Sequence, residues 1–405
     1  MTVVEDMGYP LTMSKKVEKV PVNPDVLAWA RKSAGLSLEE AARKLSPKTN
    51  PRKITDFELG TDAPTQSQFR KLAHAYRRPT ALFFLSKPPS DFQPMHDFRR
   101  NMLDPSYSPF LLREIRYAHE RRNLALEMYQ DLDSKPPKFE HPADLNDSPD
   151  VVGGRIREIL RITIQEQTDG VVRRDPFKFW RRRIEAAGVL VFQAGDIPLE
   201  EMLGFSLAMP TLPIITVNRK NKRGRVFTLL HEFTHLMLRL SGVCDIDENA
   251  SRAPAEQKVE VFCNAVAGAA LLPSEDFLLN PAVSANFGPT WRRDELDALA
   301  RQYGVSALVV LRRLLILKKT TETVYKEVAE EYLTIYARLE KEEKDRNAQG
   351  EMRRNIPSEA IGKLGPPFIR LVLDNYNGGN FTLNDVSSFL GVKFRHLPKI
   401  IESLR

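Results

Sequence analysis

The chain has 405 residues, of which 42% are hydrophobic and 28% are charged, the composition of an ordinary globular protein of two or three domains. No stretch reaches the roughly 18 consecutive apolar residues of a membrane-spanning helix, and the first residues lack the apolar segment of a secretion signal. Two cysteines, Cys244 and Cys263, are too few for a disulfide framework. These features argue against a membrane protein and predict a cytoplasmic one.

The net charge of +7 is concentrated near the start of the chain. Residues 1–90 contain fifteen lysines and arginines against nine aspartates and glutamates. A basic module of this kind favours a polyanionic partner, with nucleic acid as the first candidate. A basic surface that is only solvated is the alternative.

A compact helical module is predicted at residues 22–88, after a flexible lead-in at residues 1–20. Ser37 followed by Glu40 forms a capping-box pattern, which predicts a helix that runs to about Leu45. A later helix has one apolar face, made of Phe69, Leu72, Ala73 and Tyr76.

Residues 89–152 are predicted to form a helical connector and a linker. Hydrophobic periodicity indicates a helix over residues 107–133. Its candidate core positions are Leu111, Ile115, Ala118, Leu124 and Met128. Residues 134–150 are rich in proline, aspartate and serine, which predicts a linker.

Residues 153–318 are predicted to form an α+β domain, with strands at residues 188–192 and 212–217. Pro213 lacks a backbone donor, which indicates that the second strand is an edge strand or begins just after this proline. From about Glu295 onward the pattern is helical. The fold class is therefore multidomain and mostly α, with this central α+β domain.

Residues 319–405 are predicted to form a C-terminal helical module. A long charged helix covers residues 320–346, and Gln349 with Gly350 breaks it. Thr382 starts a later helix, and Gly391 stops it. This last part could be a second helix-turn-helix-like unit, although a packing or sensor module is the more frequent case.

The segment His231-Glu232-Phe-Thr-His235 carries the strongest chemical signal. Apolar residues recur around it at helical spacing, which predicts an amphipathic helix. Because His231 and His235 are four residues apart, their imidazoles project from one face and can bind one Zn²⁺. In this motif Glu232 acts as the general base. Two surface histidines beside an incidental glutamate are the alternative.

A catalytic zinc ion needs a third protein ligand and one position for water. Glu260 and Asn264 lie four residues apart in a predicted buried helix. We assign Glu260 as the third ligand and Asn264 as a residue that holds a histidine ring by a hydrogen bond. A solvated Glu260 is the alternative, with Glu256 as the rival ligand. Weaker rivals lie in the connecting loop: Asp245, Asp247 and Glu248.

Together these segments resemble the ImmA/IrrE family of zinc metallopeptidases. The resemblance rests on H-E-F-T-H at 231–235, on E-V-F-C-N at 260–264 and on A-L-L-P at 270–273, and it covers about residues 22–320. It implies a gluzincin-type site with one Zn²⁺ per chain, held by two histidines and one glutamate. Family members cleave protein regulators, often the repressor encoded beside them, in stress, DNA-damage or mobile-element responses.

Two positions depart from the pattern of that family. Cys263 stands where alanine is usual, and Val266 stands where phenylalanine is usual. Neither change removes a ligand. Cys263 lies in an apolar run, so we expect a small buried hydrophobic residue there and not a metal ligand.

Residues 25–78 resemble an Xre-type helix-turn-helix, a module whose recognition helix lies in the DNA major groove. Residues 51–58 correspond to that helix, although Asp56 and Glu58 make it less basic than expected. The candidate DNA contacts are Lys44, Lys48, Arg52, Lys53 and Thr55. A protein-docking domain that has lost DNA binding is the alternative. Such modules often dimerise to match two half-sites, so a homodimer is a further expectation.

Two functions follow from this pattern. The first is a zinc-dependent endopeptidase that cleaves a protein regulator, such as a repressor, and is coupled to DNA binding. The second is a DNA-binding transcriptional regulator whose peptidase-like domain is a non-hydrolytic sensor or docking domain. The intact set of His231, Glu232 and His235 favours the first.

Overall fold

A computed structural model describes residues 19–76, 78, 80–88, 108–244, 254–348 and 355–404. The chain divides into two compact units, Met1–Gln93 with Pro105–Arg113, and Pro94–Asp104 with Glu114–Arg405. Among the described residues, no helix is both long and apolar enough to span a bilayer. Each unit has its own hydrophobic core.

The described residues of the first unit before Pro109 form four helices and a short 3-10 helix. They are α1 (Pro24–Ser33), α2 (Leu38–Leu45), α3 (Arg52–Glu58), α4 (Gln66–Tyr76) and the 3-10 helix Thr80–Phe84. Asn23 begins α1, because its side chain accepts hydrogen bonds from the first backbone N–H groups of the helix. The predicted capping box of Ser37 and Glu40 is confirmed at the start of α2. The predicted apolar face of α4 is also confirmed, because Phe69, Leu72, Ala73 and Tyr76 are all buried.

The second unit is mostly helical, and its first helix, α5, begins in the first unit. The helices are α5 (Pro109–Asp131), α6 (Pro149–Leu160), α7 (Ile164–Thr168), α8 (Pro176–Ala186), α9 (Arg225–Met237), α10 (Pro254–Leu271), α11 (Ser274–Leu279), α12 (Pro281–Ser284), α13 (Arg293–Tyr303), α14 (Ala307–Ile316), α15 (Glu322–Ala348), α16 (Ile356–Leu364), α17 (Pro366–Asn377), α18 (Leu383–Leu390) and α19 (Leu397–Leu404).

Two sequence expectations for these helices need comment. In α5, Leu124 is only half-buried and Ala125 is buried in its place, whereas the other four predicted core positions are buried. The long charged helix is confirmed as α15, while Gln349 and Gly350, expected to break it, lie outside the described residues.

A four-stranded sheet lies at the centre of the second unit. Its strands are β1 (Leu190–Ala194), β2 (Gly204–Leu207), β3 (Ile214–Asn218) and β4 (Gly242–Cys244), in the spatial order β1-β3-β2-β4. β1 and β3 are parallel, and β2 is antiparallel to both β3 and β4. Pro213 directly precedes β3, which is a central strand, so the edge-strand alternative is wrong. β2 and β4 were not predicted as strands, because four and three residues show too little alternation.

The two faces of the sheet have different coverings. Val191, Ile215 and Val217 share a core with Leu229 and Phe233 of α9. On the opposite face, the ring of Phe192 packs edge-to-face on Phe368 of α17, with ring centroids 5.8 Å apart. Side chains alternate between faces along a strand, so α9 and the C-terminal helices cover opposite faces of the sheet.

Residues 134–148, predicted as a linker, contain no helix but are packed against the sheet and α9. The N–H of Phe139 donates to the carbonyl of Pro210 at 2.9 Å, and the N–H of Ala143 donates to the carbonyl of Met237 at 2.9 Å. The buried ring of Phe139 contacts Phe233 with centroids 5.4 Å apart. This segment is therefore a strap fixed to α9 and not a free linker.

The C-terminal helices belong to the same compact unit as the sheet. The carbonyl of Gly362 in α16 accepts from Arg181 at 2.6 Å and from Gln193 of β1 at 2.9 Å. Asn375 of α17 is fully buried and donates to the carbonyl of Met128 of α5 at 3.2 Å. The domain boundaries expected at residues 152 and 318 stay predictions within this unit.

Candidate metal centre

Helix α9 carries the three residues of the H-E-x-x-H motif. His231, Glu232 and His235 are all buried in the described structure. The Nε2 atoms of His231 and His235 lie 3.0 Å apart, because residues four apart occupy one face of a helix. Both imidazoles therefore turn the same nitrogen toward one point.

Helix α10 brings a carboxylate to that point. The Oε2 atom of Glu260 lies 3.4 Å from Nε2 of His231, and its Oε1 atom lies 3.5 Å from Nε2 of His235. One turn later, Oδ1 of Asn264 lies 2.8 Å from Nδ1 of His231. Because an amide oxygen only accepts, this contact places a proton of His231 on Nδ1, so a bound metal ion would take the lone pair of Nε2.

The spacing of these donors fits a zinc ion. Ligands of a tetrahedral zinc ion at about 2.0–2.1 Å lie about 3.3 Å from one another. The separations among His231, His235 and Glu260 are 3.0, 3.4 and 3.5 Å. Two imidazoles and one carboxylate are also a donor set typical of catalytic zinc, with a position left for water. The residues present can therefore hold the ion that the motif predicts.

The electrostatics of the three groups are coupled. Burial raises the pKa of Glu260, but hydrogen bonds to His231 and His235 outweigh it and hold the pKa well below its usual range. Burial lowers the pKa of His231, yet the hydrogen bond to Glu260 and the charges of Glu260 and Glu232 leave the net pKa raised. The site is therefore an anionic pocket that favours a cation.

Gly204, the first residue of β2, gives Glu232 its space. A Cβ atom at this position would lie 2.7 Å from Cγ2 of Thr228, 3.0 Å from Oε1 of Glu232 and 3.2 Å from Cγ of Glu232. These distances are shorter than ordinary van der Waals contact, so only glycine lets α9 approach β2 this closely. The sequence analysis missed this approach, because β2 was not predicted as a strand and Gly204 therefore did not stand out.

The loop before Gly204 is fixed by a buried amide. Nδ2 of Asn218, at the end of β3, donates to the carbonyls of Ile197 and Met202 at 3.0 and 2.9 Å. The backbone N–H of Asn218 donates to the carbonyl of Leu203 at 2.7 Å. Asn218 therefore sets where β2 begins, and with it the position of Gly204.

A polar cap fixes the C-terminal end of α10. Arg157 donates to the carbonyl of Ala270 at 2.8 Å, Gln167 donates to that of Leu271 at 2.9 Å, and Arg313 donates to that of Leu272 at 2.8 Å. Helix ends leave carbonyls without intrahelical partners, and cations are favoured there. Burial lowers the pKa of Arg157 to about 10, which still leaves its guanidinium charged at neutral pH.

Cys263 is fully buried, as expected of a small hydrophobic residue, but its surroundings are not apolar alone. Ligand atoms of His231, His235 and Cys263 all lie within 4.8 Å of one another. Burial, together with the charges of Glu260 and Glu232, raises the pKa of the Cys263 thiol. The sequence placed this residue in the core and missed its closeness to the imidazoles.

The rival ligands are separated by their positions. Glu256 is half-buried in the first turn of α10, one turn before Glu260. The loop residues Asp245, Asp247 and Glu248 lie outside the described residues. Glu260 is therefore the acid that the described structure brings against both imidazoles, and its role as ligand stays a prediction.

The predicted DNA contacts lie in and beside α3 in the first unit. The side chains of Lys44, Lys48 and Arg52 are exposed, whereas those of Lys53 and Thr55 are half-buried. Three exposed cations are therefore available to phosphates.

Glu58 does not reduce the basic character of α3 as much as the sequence suggested. Its carboxylate accepts two hydrogen bonds from Arg31, at 2.6 and 2.9 Å. The pair is largely buried, with about a tenth of each side chain exposed. Glu58 therefore stabilises the packing of α3 on α1, and its charge is neutralised within the unit.

Comparison with known families matches both parts of the chain. Residues 185–315 match the Peptidase_M78 family model, which is described as the IrrE N-terminal-like domain. This segment is an IrrE-like domain. Residues 27–83 match a helix-turn-helix family model. No curated protein and no solved structure matches the chain. The IrrE-like domain contains all of β1 to β4, α9 and α10, and so it contains the whole candidate centre.

Proposed function

We propose that this chain is a zinc-dependent endopeptidase that cleaves a protein regulator and is coupled to DNA through its helix-turn-helix domain. The observation that carries the proposal is the carboxylate of Glu260, which lies 3.4 and 3.5 Å from the two Nε2 atoms of the H-E-x-x-H helix. The matched IrrE-like domain supports the same reading.

The chemistry follows from the positions of five side chains. His231, His235 and Glu260 would hold one Zn²⁺, which when bound polarises a water molecule and the scissile carbonyl. Glu232 accepts the proton of that water during attack and delivers it to the leaving amine. Asn264 keeps His231 in the tautomer that presents Nε2 to the centre.

The substrate we propose is a transcriptional repressor, encoded beside this chain, in a stress, DNA-damage or mobile-element response. The family resemblance supports a protein regulator as substrate. A helix-turn-helix domain on the same chain supports action close to DNA. If a neighbouring gene encodes a repressor, that protein is therefore the first substrate to test.

The decisive experiment combines metal analysis with cleavage of that repressor. Wild-type protein is expected to bind one zinc ion per chain and to cut the repressor. Glu232→Gln should keep the zinc and cut at least about 100-fold more slowly, because it cannot accept the proton. Glu260→Gln should lose zinc, whereas Glu256→Gln, the matched control on the same helix, should keep both zinc and cleavage.

The opposite outcome is equally clear. If Glu256→Gln loses zinc and Glu260→Gln keeps it, the ligand assignment is wrong. If wild-type protein binds zinc and operator DNA, with affinity that falls steeply with salt, but cleaves no co-encoded protein, the chain is a regulator with a sensing domain.

A further inference from the structure

Cys263 lies beside the two histidines of the candidate metal centre. It lies on α10 one turn after Glu260 and is fully buried. Its sulfur and the ring nitrogens of His231 and His235 all lie within 4.8 Å of one another. Nothing in the H-E-x-x-H chemistry uses a thiol, so this placement needs its own explanation.

The distance is close to that of a metal-bound cysteine. In a tetrahedral zinc site, a sulfur at about 2.3 Å and a nitrogen at about 2.0 Å lie about 3.5 Å apart. Rotation of a cysteine side chain between staggered χ1 rotamers moves the sulfur by about 3 Å. The difference between 4.8 Å and about 3.5 Å is smaller than that displacement, so a change of rotamer is large enough in size to close it.

We propose that Cys263 is an additional, exchangeable ligand of the same metal centre, which closes the position that hydrolysis needs for water. With a metal ion held there, Cys263 would bind it as a thiolate, and the displaced water would carry away the thiol proton. The centre then has four protein ligands, His231, His235, Glu260 and Cys263, which is the closed arrangement of structural zinc sites. This inference rests on the proposed metal centre.

Two properties follow from a sulfur ligand. The closed form is catalytically latent, because no position remains for water. The centre should also favour soft ions, since thiolate binds Cd²⁺ more strongly than carboxylate or imidazole does. Alanine at this position would remove both properties while it leaves the other three ligands in place.

Cobalt spectroscopy of the full-length protein tests the proposal without any substrate. Wild-type protein titrated with Co²⁺ should show the visible bands of a tetrahedral centre and an intense near-ultraviolet band from sulfur-to-cobalt charge transfer. C263A should keep the visible bands and lose the near-ultraviolet band. C244A, the matched control at the other cysteine, should keep both.

Cadmium affinity gives a second measurement. C263A should bind Cd²⁺ at least about tenfold more weakly than wild type, with a smaller change for Zn²⁺. C263S nearly preserves the size of the side chain but lacks the sulfur. It should bind Cd²⁺ as weakly as C263A does, which would show that the loss of affinity does not come from a packing defect.

Each other outcome is also decisive. Visible bands without the near-ultraviolet band in wild type overturn the role of Cys263 and leave the metal centre intact. A near-ultraviolet band that persists in C263A overturns it as well. If wild type shows no cobalt bands at all, the metal centre itself is wrong, and the proposed peptidase function fails with it.

Discussion

At the scale of the residue, the lack of a side chain at Gly204 leaves room for the carboxylate of Glu232. Glu232 is fully buried, and its Oε1 atom would lie only 3.0 Å from a Cβ atom of residue 204. A general base must be held within hydrogen-bond reach of the proton it takes. We therefore predict that Gly204 is a positioning residue for Glu232.

Substitution of Gly204 by alanine tests this role. We expect Gly204→Ala to lower kcat by about 100-fold, because a displacement of about 1 Å at a catalytic group has that effect. Zinc affinity should stay unchanged, because the nearest neighbours of the new methyl group belong to Thr228 and Glu232 and not to a proposed ligand. Cleavage kinetics and zinc titration of the same preparation measure both.

A double variant separates the two contacts that the methyl group would make. Gly204→Ala with Thr228→Ser removes the Cγ2 atom, which is the nearer neighbour at 2.7 Å. Activity should remain low if displacement of Glu232 is the cause. Full recovery in the double variant would instead show that the methyl group acts by pushing α9 away from β2.

Metal affinity should depend on pH through His231. The pKa of this ring is raised above its ordinary value of 6.5, with the desolvation effect outweighed by Glu260 and Glu232. The ion requires the neutral ring, so protons compete with it more strongly than at a free histidine. Affinity should fall as the pH decreases, beginning above pH 6.5. Calorimetric titration with zinc across about pH 6 to pH 8 measures this.

Removal of one negative charge provides the control for that pH dependence. Glu232→Gln should lower the pKa of His231, because the charge of Glu232 contributes to its raised value. The fall in zinc affinity should then begin at a lower pH than in wild type. An affinity that is flat over the whole range in wild type would contradict the coupling.

At the scale of the element, α10 carries two of the candidate site residues and is held in place near its C-terminal end. Its middle carries Glu260 and Asn264, and the carbonyls at its C-terminal end are bound by Arg157, Gln167 and Arg313. Between them, α6 crosses so closely that a Cβ atom on Gly153 would lie 2.8 Å from the backbone of Ala270. The helix therefore cannot slide or turn without breaking these contacts.

Loss of one part of this cap should destabilise the second unit. Arg157→Met leaves the carbonyl of Ala270 and the side chain of Gln167 without their buried donor. We expect the free energy of unfolding to fall by about 2–4 kcal/mol, since each unmet buried polar group costs about 1–3 kcal/mol. Urea denaturation followed by circular dichroism measures it.

An exposed arginine on α8 gives the comparison. Arg182→Met should change the free energy of unfolding by less than about 0.5 kcal/mol, as is usual for surface positions. Equal losses in the Arg157 and Arg182 variants would mean that the cap does not stabilise α10.

The elements differ in how much of them the sequence could predict. Helices α2 and α18 were found because their caps are local: Ser37 with Glu40, and Thr382 with Gly391. The sequence also placed Glu260 and Asn264 on one face of α10. The sequence could not predict that Arg157 caps α10, because the carbonyl that Arg157 binds belongs to Ala270, 113 positions later in the chain. Contacts between distant segments leave no periodic signal in either one.

At the scale of the whole molecule, zinc should affect the two units differently. The proposed ligands all lie in the second unit, and the helix-turn-helix lies in the first. Free zinc at 100 times its Kd should stabilise the second unit by about 2.7 kcal/mol. Calorimetric melting with and without a chelator should move the transition of the second unit, while that of the first stays in place.

The variant Glu260→Gln serves as the control for that experiment. Its second unit should melt at the same temperature with and without the chelator, because it lacks the carboxylate ligand. If zinc moves neither transition of wild type, the native fold does not bind the ion.

The carbonyl of Gly362, which accepts from Arg181 and Gln193, has a consequence for biosynthesis. The ribosome makes α16 and α17 long after every proposed metal ligand has emerged. Until then, Phe192 lacks the ring of Phe368 beside it, and β1 lacks its cover. A nascent chain would thus carry the proposed metal ligands on an unfinished scaffold, so the proposed peptidase activity should arise only after the C-terminal helices have packed.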